Sequence, residues 1–181
     1  KAAADHLVRA WVRSFGLQAT ISNSSNNFGP RQHVEKLIPR TITQRLLGRR
    51  PRIYGTGQNV RDWIHVDDHN EAVWQILQHG QVGRTYLIGV EQQRSNLEVV
   101  KVINTLMGAD ENDFEFVADR PGHDRRYALD AQRIRAELGW APTRLGFEDE
   151  LANTIQWYEH NRAWWEPMKA STELCLLKQG Y

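Results

Sequence analysis

Two stretches of the sequence carry side chains that could hold a polar or charged ligand. The first is Ser25-Asn26-Asn27-Phe28-Gly29-Pro30. Adjacent carboxamides can each donate and accept hydrogen bonds. Gly29 permits a turn, and Pro30 biases Gly29 away from the helical region. Taken alone, these residues read best as an Asx-rich turn. The second stretch, Ala118-Asp119-Arg120-Pro121-Gly122-His123-Asp124-Arg125-Arg126-Tyr127, is the most polar loop in the chain. It combines arginines, a histidine and a Pro-Gly turn. Arginine suits bidentate phosphate binding, and a pyrophosphate needs such a group. A solvated charged loop is the other reading, and these residues alone leave both open.

Other polar clusters carry less. Gly55-Thr56-Gly57-Gln58-Asn59 is a turn without the GxGxxG or GxxxxGK[ST] pattern of a phosphate-cradling loop. Asp68 and Glu71 have capping-box spacing, so Asp67, Asp68 and His69 are not read as a metal site. Arg40, Arg45, Arg49, Arg50 and Arg52 make one region basic, for most of them as a solvated face. Asn96 is a helix-cap residue or a ligand contact, and the sequence favours the cap. Trp157, Trp164 and Trp165 are expected to pack rather than to stack on bases.

The elements that must position these groups follow from periodicity. Ala4, Leu7, Val8, Trp11, Val12 and Phe15 recur at helical spacing from Lys1 to about Phe15, and Gly16 stops the helix. Leu17 to Ser22 alternates as a buried strand, which makes the Asn-Asn stretch the loop beyond its end. In open α/β sheets ligands bind at such strand ends. A second helix runs from near Leu37 to Gly48, with Pro39 in its first turn. Pro51 to Gly55 and Val60 to Val66 read as strands in a hairpin-like pair. Asp68 starts a helix to about Gln78, closed by Gly80, and Arg84 to Ile88 is a strand. Ser95 and Glu98 form a capping box for a helix with Val99, Val100, Ile103, Leu106 and Met107 inward. Phe114 to Val117 is a strand. Asp130 caps a helix that stops at Gly139. A last amphipathic helix covers Phe147 to His160, with Phe147, Leu151, Ile155 and Tyr158 inward. Leu174, Leu176 and Leu177 are candidates to cover a groove on the body or on a partner.

Composition bounds the function. Across 181 residues, 40% hydrophobic and 25% charged residues indicate a chain with a real core. A net charge of +1 gives no field for nucleic acid or anionic membrane, and no apolar run approaches spanning length. The single cysteine, Cys175, excludes an internal disulfide and agrees with a cytoplasmic location. Lys1 leads straight into a helical pattern with no N-cap before it, so the chain is expected to be a piece of a longer protein.

Several of these stretches together resemble a known family. They are Lys1-Ala2-Ala3-Ala4-Asp5-His6-Leu7-Val8-Arg9-Ala10-Trp11, Asn23 to Pro30, Glu35-Lys36-Leu37-Ile38-Pro39, Val60-Arg61-Asp62-Trp63-Ile64, and Ala118 to Tyr127. Their order and spacing are similar to those of the dTDP-glucose 4,6-dehydratases, a family of extended short-chain dehydrogenase/reductases. The resemblance runs from Lys1 to about Trp165, with Lys1 as the lysine of a YxxxK motif. Phe28 replaces a frequent tyrosine of that family and Ser24 a frequent cysteine, and residues 31–33 are variable ground.

The resemblance implies an α/β fold: the last helix and strand of a Rossmann-like NAD-binding domain (residues 1–30), a nucleotide-sugar lobe (31–165) and a tail (166–181). It implies NAD-dependent internal hydride transfer, in which the hydride leaves C4 of the sugar, water is lost across C5 and C6, and the hydride returns to C6. Lys1 would serve the nicotinamide ribose and depress the pKa of the family's tyrosine, because a nearby cation favours the phenolate. Asn27 would lie near the nicotinamide and Asn26 would face the sugar. Lys36 and Leu37 would contact the nucleotide-sugar, and Arg52, Ile53 and Tyr54 would lie beside the thymine. Arg61 and Arg120 would hold the pyrophosphate. Asn96 and His123 would complete the pocket, with Asp119, Pro121 and Gly122 shaping its loop. The partners implied are a dTDP-sugar and a second copy of the chain, docked through the helix Lys1–Phe15. The family's Gly-rich dinucleotide turn and its Thr-Asp-Glu run are absent from the 181 residues, so the chain alone is expected to show no dehydratase activity. A 4-epimerase or decarboxylase of the same superfamily and a non-catalytic nucleotide-sugar-binding module are the competing readings.

Overall fold

A computed structural model describes residues 1–178, and beyond Lys169 it describes only the Ser171 side chain. In chain order the elements are α1 (Ala2–Phe15), β1 (Ile21–Ser24), β2 (Asn26–Phe28), α2 (Leu37–Leu46), β3 (Arg52–Tyr54), β4 (Val60–His65), α3 (Val66–His79) and β5 (Thr85–Ile88). They continue with β6 (Gln93–Ser95), α4 (Asn96–Leu106), β7 (Glu115–Val117), β8 (Arg126–Tyr127), α5 (Gln132–Leu138), α6 (Phe147–His160) and α7 (Arg162–Lys178). The chain forms two compact units, each built from three separate segments.

The first unit comprises Lys1–Asn27, Asp62–Gln92 and Tyr127–Leu145. Strands β1 and β5 pair in parallel, with Ile21 opposite Thr85 and Ser24 opposite Ile88. Ile64, Ala72, Ile76, Tyr86, Ile88, Val90, Ala131, Ile134 and Trp140 form its core. The Tyr86 hydroxyl is buried among them and stays satisfied: it donates to Glu137 Oε2 (3.0 Å) and accepts the Gln81 amide (3.1 Å). Helix α1 buries none of its residues fully and is tied down by polar contacts. Arg9 Nη2 donates to Thr85 Oγ1 (3.1 Å), and Asn23 Nδ2 donates to Asp5 Oδ2 (3.2 Å). Gly16 ends α1 in the left-handed conformation (φ 66°) expected of a glycine stop.

The second unit comprises Phe28–Arg61, Gln93–Arg126 and Gly146–Tyr181. Helices α2, α4 and α6 pack on one another. They bury Ile38, Ile42, Val99, Val100, Ile103, Phe147, Leu151, Ile155 and Tyr158. Strands β3 and β7 pair in parallel, Arg52 opposite Glu115 and Tyr54 opposite Val117. The capping box at Ser95 is present in both directions, with Glu98 N–H donating to Ser95 Oγ (3.1 Å) and Ser95 N–H to Glu98 Oε2 (2.6 Å). Among the described residues no helix is long and apolar enough to cross a membrane.

Four expectations are corrected. Asn26 and Asn27 lie in β2 rather than in a loop, and β1 begins at Ile21 rather than Leu17. Strands β3 and β4 do not form a hairpin, because β3 pairs with β7. Asp68 does not cap α3. The helix starts at Val66, and its cap is His65, whose Nδ1 accepts the Asp67 amide (3.3 Å). The Asp68 carboxylate instead accepts Thr143 N–H (3.0 Å), Thr143 Oγ1–H (2.8 Å) and Arg144 N–H (3.0 Å). At the far end, α7 runs through Pro167. Trp165 is fully buried there and donates Nε1–H to Tyr158 O (2.7 Å), while Trp164 remains exposed. The side chains of Leu174, Leu176 and Leu177 lie outside the described residues.

Candidate nucleotide-diphosphate site

The second unit brings most of the predicted site residues onto three elements and one loop. Lys36 caps α2 in extended conformation and Leu37 is its first residue. Arg52, Ile53 and Tyr54 are β3, and Asn96 opens α4. Arg61 and residues 118–126 complete the set. Lys1, Asn26 and Asn27 belong to the first unit. Lys1 is exposed at the start of α1, and Asn26 and Asn27 are half-buried.

Backbone geometry holds the turn after β3 in place. Gly55 N–H donates to Val117 O (2.9 Å), Gly57 N–H to Tyr54 O (3.2 Å), and Leu97 N–H to Gly57 O (2.9 Å). Asn96 N–H donates to Asn59 O (3.0 Å), so the start of α4 is fastened to the turn. Gly55 has φ 57°, and a Cβ built on it would lie 2.7 Å from Asp119 Oδ2. That contact puts the polar loop directly against the turn and requires glycine twice over, for its conformation and for space.

Asp119 organises the loop from inside. Its Oδ1 takes the Arg120 amide (2.9 Å) and lies 2.8 Å from His123 Nδ1. The His123 hydrogen bond, aided by the Arg120 amide and cation, holds the Asp119 carboxyl below the ordinary aspartate range. Gly122 turns the loop with φ 67°.

Arg61 fastens the other end. Its residue is 6% exposed, and Nη2 donates to Asp124 O (2.8 Å) while Nη1 donates to Val60 O (2.7 Å). Asn59 Nδ2 donates to the same Asp124 carbonyl (3.1 Å), and Val60 N–H donates to Arg125 O (2.9 Å). Burial pushes the Arg61 pKa below its ordinary value. The Asp124 carboxylate opposes that shift and the Arg120 cation adds to it. A guanidinium keeps its charge throughout the physiological range, so Arg61 is held here as a buried cation.

The basic run on α2 and β3 behaves differently. Arg45 Nε donates to buried Asn104 Oδ1 (2.8 Å), and Arg45 Nη1 and Arg50 Nε hold Asp113 at 2.6 and 2.8 Å. Arg52 Nε pairs with Glu115 (2.7 Å) and Lys36 Nζ with Glu35 (2.7 Å). These cations are internally compensated, so the arginine-rich appearance of the sequence there is mostly structural. The sequence reading missed Gly55, Asn59 and Asp124 as supports of the loop. The spaced glycines of the turn were visible in the sequence, but the partners of Gly55, Val117 and Asp119, lie more than sixty residues away.

Replacing Gly55 by alanine forces a Cβ into left-handed backbone and against Asp119. We expect a loss of about 1–2 kcal/mol in urea unfolding. We also expect weaker binding of any ligand that needs the loop in place, read by calorimetry on the same protein.

The chain is similar to known proteins. A family model described as GDP-mannose 4,6 dehydratase matches residues 1–154. A dTDP-glucose 4,6-dehydratase of Mycolicibacterium smegmatis (strain ATCC 700084 / mc(2)155) is 61% identical over 180 residues, covering 99% of this chain and 54% of the relative. The dTDP-glucose 4,6-dehydratase of Mycobacterium tuberculosis (strain ATCC 25618 / H37Rv) is 58% identical with the same coverage. The crystal structure of DesIV, a dTDP-glucose 4,6-dehydratase from Streptomyces venezuelae with NAD bound, superposes with a TM-score of 0.90 at 44% identity. It covers 93% of this chain and 52% of DesIV. The expected α/β fold is therefore the observed one, and the chain spans about half the length of the curated relatives it matches.

Proposed function

The chain belongs to the GDP-mannose 4,6 dehydratase family, and from that premise we propose that it is the nucleotide-sugar-binding part of an NAD-dependent dTDP-glucose 4,6-dehydratase. The observation that carries this reading is Arg61, buried and bonded to the Asp124 carbonyl, which ties it to the loop that carries Arg120. The identity of relatives bearing that name, over nearly the whole chain, supports the choice of substrate.

In this reading Arg61 and Arg120 bind the diphosphate of a dTDP-sugar. His123 faces the nucleotide with its ring fixed by Asp119, and Asn96 and the β3 residues Arg52, Ile53 and Tyr54 line the base end. Lys36 and Leu37 contact the nucleotide-sugar from the start of α2, and Pro121 and Gly122 shape the loop. Asn26 faces the sugar, and Lys1 and Asn27 would hold the nicotinamide end of NAD. The first unit is polar enough for such a group: Ser25 Oγ is buried beside Asn26 with no hydrogen-bond partner among the described residues. NAD, when bound, supplies the acceptor and donor of hydride. What the chain itself does is grip and orient the substrate at its phosphates, far from the reacting carbons, so that binding energy there can serve positioning.

The location is cytoplasmic in this proposal, and the assembly is a homodimer through α1. Leu7, Trp11 and Phe15 support the latter, being 63%, 55% and 74% exposed, with Trp11 and Phe15 in ring contact at 5.1 Å. Substitution Trp11→Glu is expected to convert a dimer to a monomer in light scattering after size exclusion. An unchanged mass would exclude α1 as the interface.

The activity is tested on the protein extended to the full length of its relatives. It should convert dTDP-glucose to the 4-keto-6-deoxy product, with loss of water and no added reductant. The 181 residues alone, which hold no GxGxxG run, should give none. Turnover of UDP-glucose in preference to dTDP-glucose would favour the epimerase reading instead.

A further inference from the structure

Neither resemblance nor charge pattern put Arg40 in the site, and its geometry sets it apart from its ion-paired neighbours. It lies one helical turn after Lys36, whose carbonyl accepts the Arg40 amide (2.8 Å). Residues four apart share a helix face. Arg45, Arg50 and Arg52 are each bound to a carboxylate. Arg40 instead reaches from α2 to β3 and donates Nη1–H to the Tyr54 hydroxyl at 2.8 Å. Its guanidinium carbon lies 5.6 Å from the Tyr54 ring centroid.

Tyr54 is the last residue of β3, half-buried, and the Gly55–Gly57 turn begins immediately after it. Its hydroxyl accepts a charge-assisted hydrogen bond from Arg40, the stronger kind. From this geometry we propose that Arg40 is a positioning residue for nucleotide recognition. It acts through the Tyr54 hydroxyl, fixing the aromatic ring before the base arrives and linking α2, which carries Lys36 and Leu37, to β3. This rests on the nucleotide-site reading given above and adds to it a residue and the route by which it acts. Ordering one rotamer-rich side chain in advance is worth about a threefold to tenfold gain in affinity.

The test is a double-mutant cycle on dTDP binding, with Arg40→Ala, Tyr54→Phe and the pair, each checked for unchanged thermal unfolding. Tyr54→Phe removes only the hydroxyl and keeps the ring. Arg40→Ala should weaken dTDP binding about fivefold. Tyr54→Phe should weaken it comparably, and the double variant no further than either alone. Arg40→Lys, which can still donate to the hydroxyl, should recover part of the loss. Losses that simply add would put Arg40 on the ligand itself and overturn the proposal. So would an Arg40→Ala affinity within twofold of the parent, or a loss that Arg40→Lys leaves untouched. Failure of the unsubstituted chain to bind dTDP overturns the nucleotide-site reading as well, and so is distinguished from failure of Arg40 alone.

Discussion

Replacing Arg61 by alanine is expected to lower dTDP affinity by roughly two orders of magnitude while leaving most of the fold intact. Two losses combine. In the proposed reading the ligand loses a charge-assisted partner, and removal of one member of a buried charged hydrogen-bond pair typically costs about 2–5 kcal/mol. The polar loop also loses the Nη2 bond to Asp124 O, leaving Asn59 Nδ2 as that carbonyl's remaining side-chain donor. Arg61→Lys should recover little. An ammonium keeps the charge but cannot present two parallel donors, and it cannot span Val60 O and Asp124 O in the same plane. Arg120→Ala should cost less, because Arg120 is exposed and its contribution is screened. Titration calorimetry of the three variants at one salt concentration checks the order. Equal losses at Arg61 and Arg120 would contradict the clamp assigned to Arg61.

The next residue in β4 has an unrelated task. Asp62 is fully buried, and its two oxygens accept the Val90 amide (3.0 Å) and the Gln92 amide (2.8 Å). The chain after β5 comes so close that a Cβ on Gly89 would lie 2.8 Å from Asp62 Oδ2. Asp62→Ala therefore orphans two amides, at about 1–3 kcal/mol each. The expected total, about 2–5 kcal/mol, is a large share of the stability of an ordinary domain. Asp62→Asn should cost less than alanine, since it keeps one acceptor and places N–H groups against an amide at the other. Urea unfolding followed by circular dichroism reads the difference. An Asp62→Ala variant within about 0.5 kcal/mol of the parent would show that water replaces the carboxylate at no cost.

What was legible in the sequence was local. The spacing of Phe147, Leu151, Ile155 and Tyr158 marked a helix face, and all four are buried along α6. The Ser95–Glu98 capping box and the Gly139 stop needed only residues within one turn, and both are present. What was not legible depended on partners distant in the chain. Adjacent runs at β3 and β4 suggested a hairpin, but β3 finds its partner in β7, after two helices. Asp68 had the spacing of a cap, yet its carboxylate is satisfied 75 residues away by Thr143, and that leaves His65 to cap the helix.

The candidate site follows the same division. The residue types that suit a diphosphate could be read in the Arg-Pro-Gly-His-Asp run, but a solvated loop could not be set aside on sequence. The contact of Asp119 with Gly55 and the Arg61 bond to Asp124 bring that run against a structured turn. Arg40 was hidden for a further reason. Its neighbours in sequence are ion-paired for structural purposes, and only the direction of its side chain distinguishes it.

The central claim, that the second unit binds the diphosphate of a dTDP-sugar, is tested most directly by calorimetric titration of dTDP into the 181-residue chain at two salt concentrations. The prediction is saturable binding at one site per chain, weaker at the higher salt and reduced by about a hundredfold in Arg61→Ala. A folded chain that releases no heat with millimolar dTDP, or that binds equally well without Arg61, would contradict it.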